Sequence, residues 1–102
     1  FGASVVDATR AALDAVAREV PVASVTAAEL GAGIDLADLL SRSGLLTASK
    51  GEARRAIAQG GVYVNGERAT EDHQVTVDDV LHGAYVVLRK GKRSFAVARL
   101  AS

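Results

Sequence analysis

Ser49-Lys-Gly-Glu-Ala-Arg-Arg-Ala-Ile-Ala-Gln-Gly-Gly-Val-Tyr-Val-Asn-Gly66 changes its period halfway along. Up to Gln59 the apolar residues Ala53, Ala56 and Ile57 fall within about 100° of one another on a helical wheel, which predicts a helix with one buried face. Ser49 suits the N-cap, and Glu52 three residues later completes a capping box. Gly60-Gly61 ends the helix, since glycine accepts the left-handed backbone that closes a last turn. Val62-Tyr-Val64 then alternates as a strand does. Asn65-Gly66 is a strong short-range hairpin signal, because both residues tolerate positive φ. Glu67 to Ala69 is the expected return strand.

On the N-terminal side, Leu36, Leu39 and Leu40 give a short helix to about Arg42, with Asp35 as its cap and Gly44 as its left-handed terminator. Leu45 and Leu46 are expected to bury in the connection. Residues 4–20 predict a further amphipathic helix. Ser4 would cap it, Asp7 would sit in its first turn, Val6, Leu13, Val16 and Val20 would share a face that Ala12 widens, and Pro21 would end it. Val22 to Val25 reads as a short strand and Thr26-Ala-Ala-Glu29 as a capping box for one more turn. Gly31-Ala-Gly33 then marks a boundary between a lead-in, 1–33, and a core module, 34–102. On the C-terminal side, an acidic loop runs to His82-Gly83, with His82 as a turn residue. Ala84 to Arg89 and Lys92 to Leu100 predict two strands around Lys90-Gly91. Helices first and strands after them predict an α+β class.

Charge is uneven although the net value is zero. Residues 1–48 sum to −3, residues 49–68 to +2, residues 69–82 to −4 and residues 83–102 to +5. Such a chain has either a mixed, solvated surface or, if the two basic segments meet, one positive patch. The helix after Ser49 sharpens the second possibility. Away from its apolar face it shows Lys50, Gly51, Arg54, Arg55 and Gln59 around about 180°. Its N-terminal N–H groups and dipole favour phosphate. Gly51, with no side chain, lets a phosphodiester backbone approach closely. The alternative is a solvated helix face with a neutral glycine.

Several classes are excluded or disfavoured. A hydrophobic content of 49% and a charged content of 24% describe a folded chain rather than a disordered one. No apolar run approaches the roughly 20 residues that span a bilayer, so no membrane partner is expected. The absence of cysteine rules out disulfides and thiolate metal sites and fits a reducing compartment. His73 stands among Glu71, Asp72, Asp78 and Asp79, but at no standard ligand spacing, so no metal is expected. No catalytic constellation is legible. Strand-edge pairing with another protein through Val62–Val64 or Val97–Leu100 would leave the cationic arc unexplained. Phe1 at the start and the lack of any methionine lead us to expect a part of a longer protein.

Leu36-Ala-Asp-Leu-Leu40, Ser43-Gly-Leu45, Ser49-Lys-x-Glu-Ala-Arg-Arg55, Ile57, Gly60-Gly-Val62 and Val64-Asn-Gly66 together resemble the S4 RNA-binding family. The tail His82-Gly-x-Tyr-Val-Val-Leu-Arg-Lys-Gly-Lys-Arg93 with Arg99, and the lead-in from Phe1-Gly2, resemble the C-terminal region of bacterial tyrosyl-tRNA synthetases. The resemblance implies an S4 (alpha-L) fold: two short packed helices against a small, mostly antiparallel sheet, preceded by an N-terminal helix. It implies a cytoplasmic tRNA-binding appendage that clamps tRNA-Tyr near its long variable arm and anticodon stem. Ser49, Lys50, Arg54 and Arg55 would lie against the RNA backbone, with Gln59 beside them. Asn65 and Arg68 would add the hairpin, and Lys90, Lys92 and Arg93 the terminal turn. No cofactor is implied for the chain itself. ATP and magnesium, and a homodimeric arrangement, belong to the parent ligase, while the isolated domain is expected to be a monomer. The acidic loop from Glu71 to Asp79 would face away from the tRNA. Another S4-bearing protein acting on ribosomal RNA is the alternative, but such proteins carry the motif near their N-terminus, with an extension after it.

Overall fold

A computed structural model of the chain describes residues 9–42, 45–91 and 94–101. Expectations about Ser4, Val6, Asp7, Gly44, Lys92 and Arg93 lie outside these residues. The first helix, α1 (Arg10–Glu19), starts later than the spacing predicted. The Thr9 hydroxyl caps it, accepting from the Ala12 N–H at 3.1 Å, and it stops before Val20-Pro21 as proline requires. Leu13 is fully buried, and Val16, Ala17 and Val20 pack around it. Ala12 is exposed. Ala17, one turn after Leu13, widens the apolar face in its place.

Next come β1 (Val22–Thr26) and α2 (Ala27–Ala32), the latter with the expected Thr26–Glu29 capping box. After Gly33 (φ +88°) the chain enters β2 (Ile34–Asp35) and α3 (Leu36–Ser41). Leu36, Ala37, Leu39 and Leu40 of α3 are all buried. A leucine so buried contributes about 1.5–3 kcal/mol over an exposed one. Leu45 is buried and Leu46 packs against the same core. The helix α4 (Lys50–Ala58) packs on α3 and leads into β3 (Val62–Val64) and β4 (Glu67–Arg68).

The acidic segment is more structured than a loop. It holds β5 (Gln74–Val75), paired antiparallel to β2, and a 3-10 turn at Val77–Asp79. Two-residue strands are too short to show a period, which is why the sequence hid them. β6 (Tyr85–Lys90) and β7 (Ser94–Ala101) complete the main sheet, in the order β1-β7-β6-β3-β4. All its pairings are antiparallel except β1 with β7. The α+β class holds.

The sheet has two covered faces. Ala23, Val25, Val62, Val64, Val86, Leu88, Ala96 and Ala98 point to one, where α2, α3 and α4 supply Leu30, Leu39, Leu40, Ala53 and Ile57. Tyr85, Val87 and Val97 point to the other, where α1 supplies Leu13. The Tyr85 hydroxyl donates to the Asp14 carboxylate, tying α1 to the sheet. That bond, helped by desolvation, raises the Tyr85 pKa above its ordinary value. The lead-in is thus built into the same body as residues 34–102, through β1 beside β7 and through Val25 and Leu30 in the shared core.

The hairpin turn has φ +51° at Asn65 and +85° at Gly66. Both values are positive, as a type I′ turn requires. The Asn65 amide also locks the turn to its surroundings. It donates to the Asp79 carbonyl at 2.6 Å and accepts from the Val87 N–H at 2.9 Å. Asn65→Ala should therefore cost about 2–4 kcal/mol, from two missing hydrogen bonds and a left-handed alanine. Asn65→Gly should cost less, because it keeps the turn. Denaturant unfolding of both variants checks this, and equal stability of Asn65→Ala and the parent chain would refute the locking role.

Candidate nucleic-acid interface

The helical wheel of α4 is realised as read. Ala53 and Ile57 are buried, Ala56 is half-buried, and Lys50, Gly51, Arg54, Arg55 and Gln59 are exposed. The Ser49 hydroxyl accepts from the Glu52 N–H at 3.1 Å, which leaves its own hydrogen free to donate outward. A Cβ added to Gly51 would meet no atom within 4 Å, so nothing in the fold itself demands glycine there. The helix has nine residues, so the arc from Lys50 to Gln59 is about 13 Å long.

Acidic side chains stand nearer this arc than the sequence suggested. Asp35 makes no capping bond to α3. Its carboxylate instead lies 3.6 Å from Lys50 Nζ and 4.0 Å from Arg54 Nη2. Glu52 completes no box with Ser49. One oxygen accepts from the Ala48 N–H at 3.4 Å and the other holds Lys90 Nζ at 3.0 Å. The Lys90 ammonium, then the Ala48 N–H, hold the Glu52 pKa below the usual carboxylate value. Glu71 lines a shallow hollow with Arg54, Arg55, Ile57 and Ala58. The start of the acidic segment therefore borders the arc instead of turning wholly away from it. These carboxylates are exposed or half-exposed, so they hold the cations loosely. Arg55 has no carboxylate within 4 Å among the described residues.

Other residues marked from the sequence are distributed as follows. Lys90 does reach α4, so the terminal turn and the helix meet, and the Gly91 N–H donates to the Gly61 carbonyl at 2.7 Å. The Asn65 amide spends one N–H and one acceptor site on the turn, which leaves its second N–H for a further partner. Arg68 sits on the edge strand β4 opposite Tyr63, with its guanidinium along Gly60 at the end of α4. His73 lies 3.3 Å from Asp79, whose carboxylate also accepts from the Thr76 N–H. Among the described residues no group of three or more His, Cys, Asp or Glu is placed to hold a metal ion, and no helix is long and apolar enough to cross a membrane.

Sequence reading passes over Tyr63 and Arg89 as a pair. The Arg89 guanidinium lies over the Tyr63 ring, 4.0 Å from its centroid. Arg68, beside the Tyr63 hydroxyl, lowers its pKa below the ordinary value, and Arg89 adds to this. Alternation on β3 and β6 puts both residues on the face opposite α4, but their meeting depends on a register no local pattern reveals.

Comparison with known proteins places the chain in a family. A family model described as the tyrosine–tRNA ligase SYY-like C-terminal domain matches residues 12–98. A tyrosine–tRNA ligase of Corynebacterium diphtheriae is 49% identical over 98 residues, covering 94% of this chain and 22% of that protein. The tyrosine–tRNA ligase of Opitutus terrae is 40% identical over 102 residues, covering 98% of this chain and 24% of that protein. That of Anaeromyxobacter dehalogenans is 44% identical over 89 residues, covering 86% and 21%. The chain spans about a fifth to a quarter of the length of these curated relatives.

Proposed function

The chain belongs to the tyrosine–tRNA ligase SYY-like C-terminal domain family, and from that premise we propose that it is the tRNA-gripping appendage of a tyrosine–tRNA ligase. It binds tRNA-Tyr through the phosphate backbone and positions it for aminoacylation by the catalytic domain. The observation that carries this is the α4 arc: Lys50, Arg54, Arg55 and Gln59 all exposed on one side of a helix whose other side is locked into the core. A face that spends its exposed positions on long cations beside a bare Gly51 suits a phosphodiester chain better than a protein partner.

The grip is electrostatic. Lysine and arginine neutralise phosphates and release counterions, so affinity falls as salt rises. The carboxylates of Asp35, Glu52 and Glu71 stand beside the cations, offset part of their charge and keep the affinity at a modest, about micromolar level, adequate for a tethered domain. Ser49 and the N–H groups of the first α4 turn add phosphate donors, and Lys90 extends the positive surface. Lys92 and Arg93, which follow it closely in the sequence, contribute two further positive charges. Residues 34–102 carry these contacts, and residues 1–33 lead from the catalytic domain. ATP and magnesium belong to that domain, and the ligase acts as a cytoplasmic homodimer, with this domain monomeric in isolation.

The test is a fluorescence titration of tRNA-Tyr transcripts with and without the long variable arm. Removing the arm should weaken binding by about five- to tenfold at low salt, since several phosphates go with it. Equal binding of both transcripts, or none of either, would remove this reading.

A further inference from the structure

Arg68, Tyr63 and Arg89 stand side by side across β4, β3 and β6, at paired register positions. Val62 and Val64 point into the core that holds α4, so strand alternation turns Tyr63 and its two neighbours to the opposite face. α1 seals a cluster of Leu13, Tyr85, Val87 and Val97 on that face, and Tyr63 and Arg89 lie outside it. We propose that these three residues form a second phosphate seat, which takes one phosphodiester of the same RNA where it passes around the β4 edge. The proposal rests on the reading of the chain as a tRNA-binding domain.

Three observations point to an anion. First, two guanidiniums converge on one phenol, yet among the described residues neither Arg68 nor Arg89 has a carboxylate within 4 Å. Lys50, Arg54 and Lys90, by contrast, each have one. Two like charges held close without a counter-ion repel each other, and a bound anion relieves that. Second, Arg89 Nε is buried without a hydrogen-bond partner. That guanidinium is already partly stripped of water and stacked on a ring, so it loses less on meeting a phosphate than a free lysine would. Third, the seat adjoins the first surface. A Cβ on Gly60 would lie 3.4 Å from Arg68 Nε, so Arg68 runs along the turn that ends α4, next to Gln59. A backbone leaving the arc at Gln59 meets Arg68 at the sheet edge and then the Tyr63 hydroxyl, with Arg89 behind it. Planar guanidiniums suit a phosphate held by two parallel bonds.

The experiment compares the chain, the double variant Arg68→Gln/Arg89→Gln, and the double variant Arg54→Ala/Arg55→Ala, each titrated with tRNA-Tyr transcript across a salt series. The glutamine pair should weaken binding by about three- to tenfold and reduce the slope of log affinity against log salt by about 1. A slope unchanged in the glutamine pair but reduced in the alanine pair overturns the second seat and leaves the α4 reading intact. The reverse supports the seat and removes the α4 reading, and no change in either removes both. Because the glutamine pair can disturb the sheet edge, the unmodified chain is also followed by NMR at its arginine Nε–H resonances. Shifts of Arg68 and Arg89 on adding tRNA support the seat, and fixed positions through saturation overturn it. If they respond to an acidic polypeptide but not to tRNA, the face takes protein carboxylates, and the RNA assignment is likewise overturned.

Discussion

Replacing Arg54 and Arg55 together by alanine should weaken binding of tRNA-Tyr by about 10- to 100-fold at low salt and flatten its salt dependence by about 2 in slope, one for each phosphate that is no longer neutralised. The fold should survive. Both side chains are exposed, Arg54 at 67%, and neither belongs to the cluster that α4 buries through Ala53 and Ile57. Surface changes of this kind usually move stability by less than about 0.5 kcal/mol. Arg54 shares Asp35 with Lys50, so its removal leaves that carboxylate still paired. Denaturant midpoints alongside the titration separate weaker RNA binding from unfolding. An unchanged affinity with an unchanged midpoint would show that the α4 arc does not touch RNA.

A second large effect should follow deletion of the whole chain from the ligase that carries it. Aminoacylation of tRNA-Tyr should fall by about 100-fold or more, because a tethered site adds about that much effective concentration. Tyrosyl-adenylate formation, which involves no tRNA, should change little. Pyrophosphate exchange measures adenylate formation and tRNA charging the overall reaction. Equal losses in both would mean that the domain supports the active site and does not grip tRNA.

What can be read from the sequence is local. The α4 wheel, its Ser49 cap, the Gly60 stop and the Asn65-Gly66 turn each rest on residues within a few positions of one another, and all are found. What the sequence hides depends on distance along the chain. Asp35 has the composition of a cap, but which partner it takes is settled by α4 packing beside it. Glu52 finds Lys90, 38 residues away, in preference to a full capping box. Asn65 reads correctly as a turn residue, but its bonds to Asp79 and Val87 are not legible, because those partners arrive from other elements. β1 lies beside β7 in parallel, a pairing across most of the chain that no window displays. The Tyr63 cluster has a faint signal in the alternation of β3 and β6, but it becomes a cluster only once register joins three strands.

The central claim is that the exposed side of α4 faces the phosphate backbone of tRNA. NMR of the nitrogen-15-labelled chain during titration with tRNA-Tyr addresses it most directly, residue by residue. The amides of Lys50, Gly51, Arg54 and Arg55 should shift or broaden first and most, while those of Val77 to Asp79 stay where they are. Shifts centred on the acidic turn or on α1, with the α4 signals unmoved at saturation, would contradict it.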